Sequence, residues 1–134
     1  MNTKSVTRVA GAFTITAGLA LAMTVPAQAS HGGGDGVQQS GKCSQGSTWK
    51  LKAKTDDGRI EVEAEIDSNK VGQVWSWKIA DNGTLVAKGK STTHGRSGSF
   101  SVERKVPNQA GPDTFVLTAK TGSTGETCTG SVTL

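Results

Sequence analysis

The residues best suited to chemistry in this chain are Trp75-Ser76-Trp77. Two indoles at i and i+2 of a strand project to one face about 7 Å apart, a platform on which sugar rings stack. Beyond them, Asp81-Asn82-Gly83-Thr84 has the residues of a two-residue hairpin turn. Its register predicts Trp77 opposite Lys88, Trp75 opposite Lys90 and Ile79 opposite Val86. Trp75, Trp77, Lys88 and Lys90 are therefore the candidate binding residues, an aromatic and basic patch suited to anionic glycans of a cell envelope. The alternative is that the indoles fill the core, with the two lysines guarding a sheet edge or lying over the rings as cation–π partners. Burying two indoles gains more than burying Val74 and Leu85 on the opposite face, and exposing them would bury Lys78, so the core is favoured.

No other residue set points to a reaction. The sequence has no G-x-S-x-G, no H-E-x-x-H and no paired-cysteine zinc spacing. His94, a serine and Asp81 or Asp113 would form a triad only through tertiary coincidence, and Asp56-Asp57 is explained by a turn. His31 beside Ser30 has the make-up of a copper-binding terminus, yet a histidine in a glycine-rich segment reads more simply as a soluble residue. The expectation is a protein that is not an enzyme, with no catalytic residues, no metal ligands and no cofactor.

The elements that would hold these residues begin with an address. Lys4 and Arg8 precede a mostly apolar run from Val9 to Val25, and Ala27-Gln28-Ala29 supplies a small-x-small cleavage site, so residues 1–29 read as a secretory signal peptide. Its removal from 134 residues leaves 105, enough for one domain, and takes the formal charge from +4 to +2. That balance argues against a nucleic-acid partner, and the absence of a second apolar run argues against membrane insertion after the signal is removed. The expected product is secreted, extracellular and monomeric. Residues 30–42 are too glycine-rich and apolar-poor to order themselves and read as a flexible leader, with the domain at 43–134.

Within that domain the pattern is all-β. Trp49, Leu51 and Ala53 alternate with Lys50, Lys52 and Lys54, while Ile60, Val62, Ala64 and Ile66 alternate with Glu61, Glu63 and Glu65. Asp57-Gly58 between them predicts a type I′ hairpin that sets Lys54 against Glu61, Lys52 against Glu63 and Lys50 against Glu65. The same register sets Ala53 against Val62, Leu51 against Ala64 and Trp49 against Ile66, sorting charges to one face and apolar groups to the other. Further strands are expected at 73–81, 84–91, 100–106 and 114–120, with a last one through Cys128, Val132 and Leu134. About seven strands with connections of this length predict an immunoglobulin-like Greek-key β-sandwich. Cys43 and Cys128 lie near the two ends of the domain, so the expected disulfide ties the N- and C-terminal ends together.

G-S-T-W-K-L-K-A-K from Gly46, the D-D-G-R turn, D-N-G-T, N-Q-A-G-P-D-T-F from Asn108 and G-E-T-C from Gly125 span nearly the whole domain. In these runs the chain resembles a family of small secreted actinobacterial proteins with no assigned function. The resemblance implies export and an immunoglobulin-like fold, and it transfers no site residues. The function expected is a non-catalytic extracellular module that binds cell-wall glycan or an extracellular protein. Two alternatives remain, a hydrolase or protease inhibitor presenting the 91–99 loop, and a structural or assembly protein using an open sheet edge.

Overall fold

The computed structural model describes residues 36–134, so the signal peptide expected at 1–29, His31 and residues 30–35 of the expected leader lie outside the described residues. Eight strands follow one another: β1 Val37–Lys42, β2 Thr48–Asp56, β3 Arg59–Asp67, β4 Val74–Asp81, β5 Thr84–Thr92, β6 Ser99–Pro107, β7 Thr114–Thr121 and β8 Thr127–Thr133. They form two four-stranded sheets, β1-β2-β3-β6 and β5-β4-β7-β8, in which all neighbours are antiparallel. The inward faces of both sheets meet in one core. Leu51, Ile60, Val62, Ile66 and Phe100 come from the first sheet, and Trp75, Ile79, Phe115 and Leu117 from the second.

The β2–β3 hairpin forms as the turn residues dictate. Asp57 (φ 50°) and Gly58 (φ 74°) both take the left-handed conformation that a type I′ turn requires. Every expected cross-strand partner is in place, from Lys54 opposite Glu61 to Trp49 opposite Ile66. Alternation thus buries Leu51, Ala53, Val62 and Ala64 and leaves the lysine and glutamate ladder on the outer face.

Residues 37–42 depart from the flexible leader expected over 30–42, because they form β1, paired to β2 from Val37 opposite Ala53 to Lys42 opposite Thr48. Backbone hydrogen bonds supply the ordering that side-chain composition does not. The glycine in this strand has a packing role too. A Cβ on Gly41 would lie 2.8 Å from Trp49 Nε1, so the missing side chain makes room for the indole.

Cys43, just past β1, is bonded to Cys128 of β8, which ties the first sheet to the second across 85 residues of chain. Around the bridge the chain is locked by Glu126. Its carboxylate accepts hydrogen bonds from the N–H of Gln45 (3.1 Å), the N–H of Ser47 (2.8 Å) and the Ser47 hydroxyl (2.7 Å). Burial pushes the Glu126 carboxyl up, but these bonds outweigh it, so its pKa falls below the ordinary 4.5.

Candidate functional site

The second hairpin is where local structure decides what the surface can do. Its turn is the expected one, with Asn82 (φ 48°) and Gly83 (φ 85°) left-handed and Ala80 opposite Leu85. One pair later the register shifts at Ile79/Ala80, so Ile79 faces Ala87, Trp77 faces Gly89 and Trp75 faces Ser91. The extra residue in β5 is Val86, a β-bulge. Because side chains alternate with a period of two, this single insertion sends Lys88 and Lys90 to the face opposite the one expected.

The four candidate binding residues are thus separated. Trp75 (0% exposed) and Trp77 (4%) lie in the core, whereas Lys88 and Lys90 are exposed on the outer face. Packing accounts for this arrangement. Trp77 Nε1–H donates to Ser91 Oγ (3.0 Å), and a Cβ on Gly89 would lie 2.8 Å from Trp77 Cζ2, so the residue facing this indole has no room for a side chain. The cation over the ring is Arg104 of β6, its guanidinium carbon 5.2 Å from the centroid, in the role that Lys88 or Lys90 was expected to take. No indole platform is presented by Trp75 and Trp77.

What the bulge assembles instead is a cationic face. Across the outer side of the β5-β4-β7-β8 sheet one row reads Lys90, Ser76, Lys120, Thr127, and the next reads Lys88, Lys78, Thr118, Thr129. All four lysines are exposed. Adjacent strands lie about 4.8 Å apart and same-face residues along a strand about 7 Å apart, so the four ammonium groups surround one patch. A shallow depression of about 630 Å³ opens among Ser76, Lys78, Lys88, Lys90, Thr118 and Lys120. Lys78 stands directly opposite Lys88, a like-charge pair that weakens a sheet.

No outward position of these four strands carries an acidic residue, since Asp81 of β4 points into the core and is fully buried. The other sheet is built the opposite way. Lys54 pairs with Glu61 (2.9 Å), Lys105 with Asp56 (2.7 Å) and Lys50 with Glu65 (3.8 Å), and Lys52 stands in register with Glu63, which is itself opposite Glu103. Two aliphatic side chains, Val74 and Leu85, each 50% exposed, flank the lysines, and Thr114, Thr129, Ser131 and Thr133 line the far side of the face.

Sequence reasoning placed Lys88 and Lys90 in the site but missed Lys78 and Lys120. The signal lay in parity. With Trp75 and Trp77 inward, Lys78 must point outward, and with Phe115, Leu117 and Ala119 inward, Lys120 must do so as well.

The segment after β5 is a tight turn closed by two backbone bonds between His94 and Ser99, and His94 Nδ1 lies 3.2 Å from the carbonyl of Thr92. Arg96 and Ser97 sit at its tip, with Gly95 and Gly98 left-handed on either side. Asp81 and Asp113 lie buried at the end of the sandwich where the β4–β5 turn is clamped to the start of β7. Among the described residues no three His, Cys, Asp or Glu side chains group as a metal centre. Compared with protein-family models and with curated proteins, the chain matches none.

Proposed function

We propose that this protein is a secreted, non-catalytic module with an immunoglobulin-like sandwich that binds an anionic polymer of the cell envelope through Lys78, Lys88, Lys90 and Lys120. The observation that carries this reading is the unbalanced charge of one sheet face. Four exposed lysines share a patch with no acid, two of them in a destabilising cross-strand pair, while Lys50, Lys54 and Lys105 of the opposite sheet each pair with an acid. An ammonium cluster of this kind lowers its own repulsion when phosphate or carboxylate groups enter it. The threonine and serine hydroxyls beside it supply neutral donors and acceptors for a sugar or polyol backbone. The signal-like sequence of residues 1–29 and the disulfide support the reading of an extracellular setting.

The test is titration with a polyglycerol phosphate chain, with neutral dextran as control, at several salt concentrations. Binding should be confined to the polyanion, and the log–log salt slope should be about −3 for four displaced counterions. Lys78→Gln with Lys88→Gln should weaken binding and flatten the slope by about half, whereas Lys50→Gln with Lys52→Gln on the opposite sheet should leave both unchanged. Equal binding to dextran, or equal loss from the two pairs of substitutions, would overturn the assignment. Because Trp75 and Trp77 are buried, their emission should stay blue and poorly quenched with or without the polymer.

A further inference from the structure

We propose that Thr129, Ser131 and Thr133 of β8 pair antiparallel with the same residues of a second copy of this chain, in a register centred on Ser131. The backbone identifies which groups are free. Leu134 and Asp113 exchange both of their bonds and the Thr121 N–H bonds to Glu126, so in this ladder the even-numbered residues of β8 face β7. The odd-numbered residues then aim their N–H and C=O groups away from the sheet. Thr127 confirms the direction and is already satisfied by Ser44, whose N–H bonds to its carbonyl (2.9 Å) and whose hydroxyl accepts its N–H (3.0 Å). Thr129, Ser131 and Thr133 are left with unpaired backbone groups among the described residues.

This edge lacks the devices that protect the others. β5 carries a bulge and two lysines, β6 carries Glu103, Arg104 and Lys105 and ends at Pro107, and β1 ends in Lys42. β8 has no charge, no proline and no bulge over its seven residues. Beside it a groove of about 800 Å³ runs between β8 and β1, and none of the side chains lining it is charged.

The occupant is argued from self-complementarity. A two-fold axis at Ser131 sets Thr129 against the partner's Thr133, Ser131 against the partner's Ser131 and Thr133 against the partner's Thr129. All three are hydrogen-bonding positions, and all put hydroxyl against hydroxyl on the outer face. The lysine clusters do not oppose this contact. The nearest lysines, Lys120 of each copy, stand three strand spacings apart across the sheet and about eight residues apart along it, roughly 30 Å in all, which is far beyond the screening length at physiological salt. So short an overlap makes a small interface, and the dimer is weak and concentration-dependent. It departs from the monomer expected from the sequence, and it is independent of polymer binding.

The test is sedimentation equilibrium of the oxidised protein, without polyanion, from about 10 μM to about 1 mM. The mass should rise from monomer toward dimer across this range. Ser131 is exposed, so Ser131→Lys and Ser131→Glu should fold normally. Each variant alone should stay monomeric, because the two-fold brings like charges together, and an equimolar mixture should recover the dimer. A wild-type protein that stays monomeric throughout, a Ser131→Lys variant that associates like wild type, or a mixture that fails to associate would each overturn the proposal.

Discussion

Two buried carboxyl sites should give this small domain a stability that falls on both sides of a pH optimum. Asp81 and Asp113 are 0% and 2% exposed, and each keeps one oxygen without a hydrogen-bond partner. Burial first, then the charge and side chain of Asp113, raises the Asp81 pKa above its ordinary 3.8. Protonation of Asp81 relieves both the burial of its charge and its repulsion with Asp113. Since the folded pKa is raised, this stabilisation is complete below 3.8 and is lost as pH rises through the folded value. Glu126 acts in the opposite sense. Its folded pKa lies below 4.5, so its contribution is present above 4.5 and is lost as pH falls through the folded value. Stability measured by urea midpoint against pH should therefore peak on the acidic side of neutrality. Asp81→Asn, which removes the buried charge, should raise stability at pH 7 by on the order of 1 kcal/mol and flatten the profile above the peak. Glu126→Gln should lower stability at pH 7 and flatten the acidic limb. A wild-type profile that rises steadily from pH 5 to pH 8 would contradict the raised pKa of Asp81.

At the scale of elements, Val86 separates the two possible faces of β5. With the bulge, Gly89 meets Trp77 and Lys88 points to solvent; in an unbulged hairpin Lys88 would meet Trp77 instead. Gly89→Val should force a side chain into the Trp77 ring and cost about 1–3 kcal/mol. Lys88→Val, relieving the repulsion with Lys78 at an exposed site, should change stability by no more than about 0.5 kcal/mol. Denaturant midpoints of the two variants check the bulge directly, and a reversed order would place Lys88 in the core. The first hairpin was legible in the sequence because the Asp57-Gly58 turn and two clean alternations demand one register. In the second, turn and core disagree. The unbulged register would set Lys88 and Lys90 against indoles, and that conflict was the only trace of the extra residue. The same bulge hid the lysine face, because a one-residue shift exchanges the two sides of a strand. β1 was illegible for a different reason. It buries little beyond part of Val37, and it is held by main-chain bonds that leave no mark on side-chain composition.

For the molecule as a whole, the Cys43–Cys128 bridge is, among the described residues, the one covalent link between the sheets besides the chain's own crossovers, and it adds to their apolar packing and to the hydrogen bonds around Glu126. It closes 85 residues of sequence separation, and on the chain-entropy model a loop of that length contributes about 4 to 5 kcal/mol by restricting the unfolded chain. A domain of this size has about 5 to 15 kcal/mol in total, so the reduced protein should be close to the limit of folding. The loss should also be localised in the native state. Without the bridge the Cys43–Ser47 turn is held to the second sheet by Glu126 and by the bonds between Ser44 and Thr127, while the β2–β3 hairpin keeps its own ladder. Hydrogen exchange on a Cys43→Ser/Cys128→Ser variant should show β1 and β8 losing protection first and β3 and β4 last. The free edge of β8 should then pair less well with a second copy, because the strand that presents it is no longer anchored. Uniform loss of protection across all eight strands would mean that the two sheets open as one unit and that the bridge stabilises the whole fold equally.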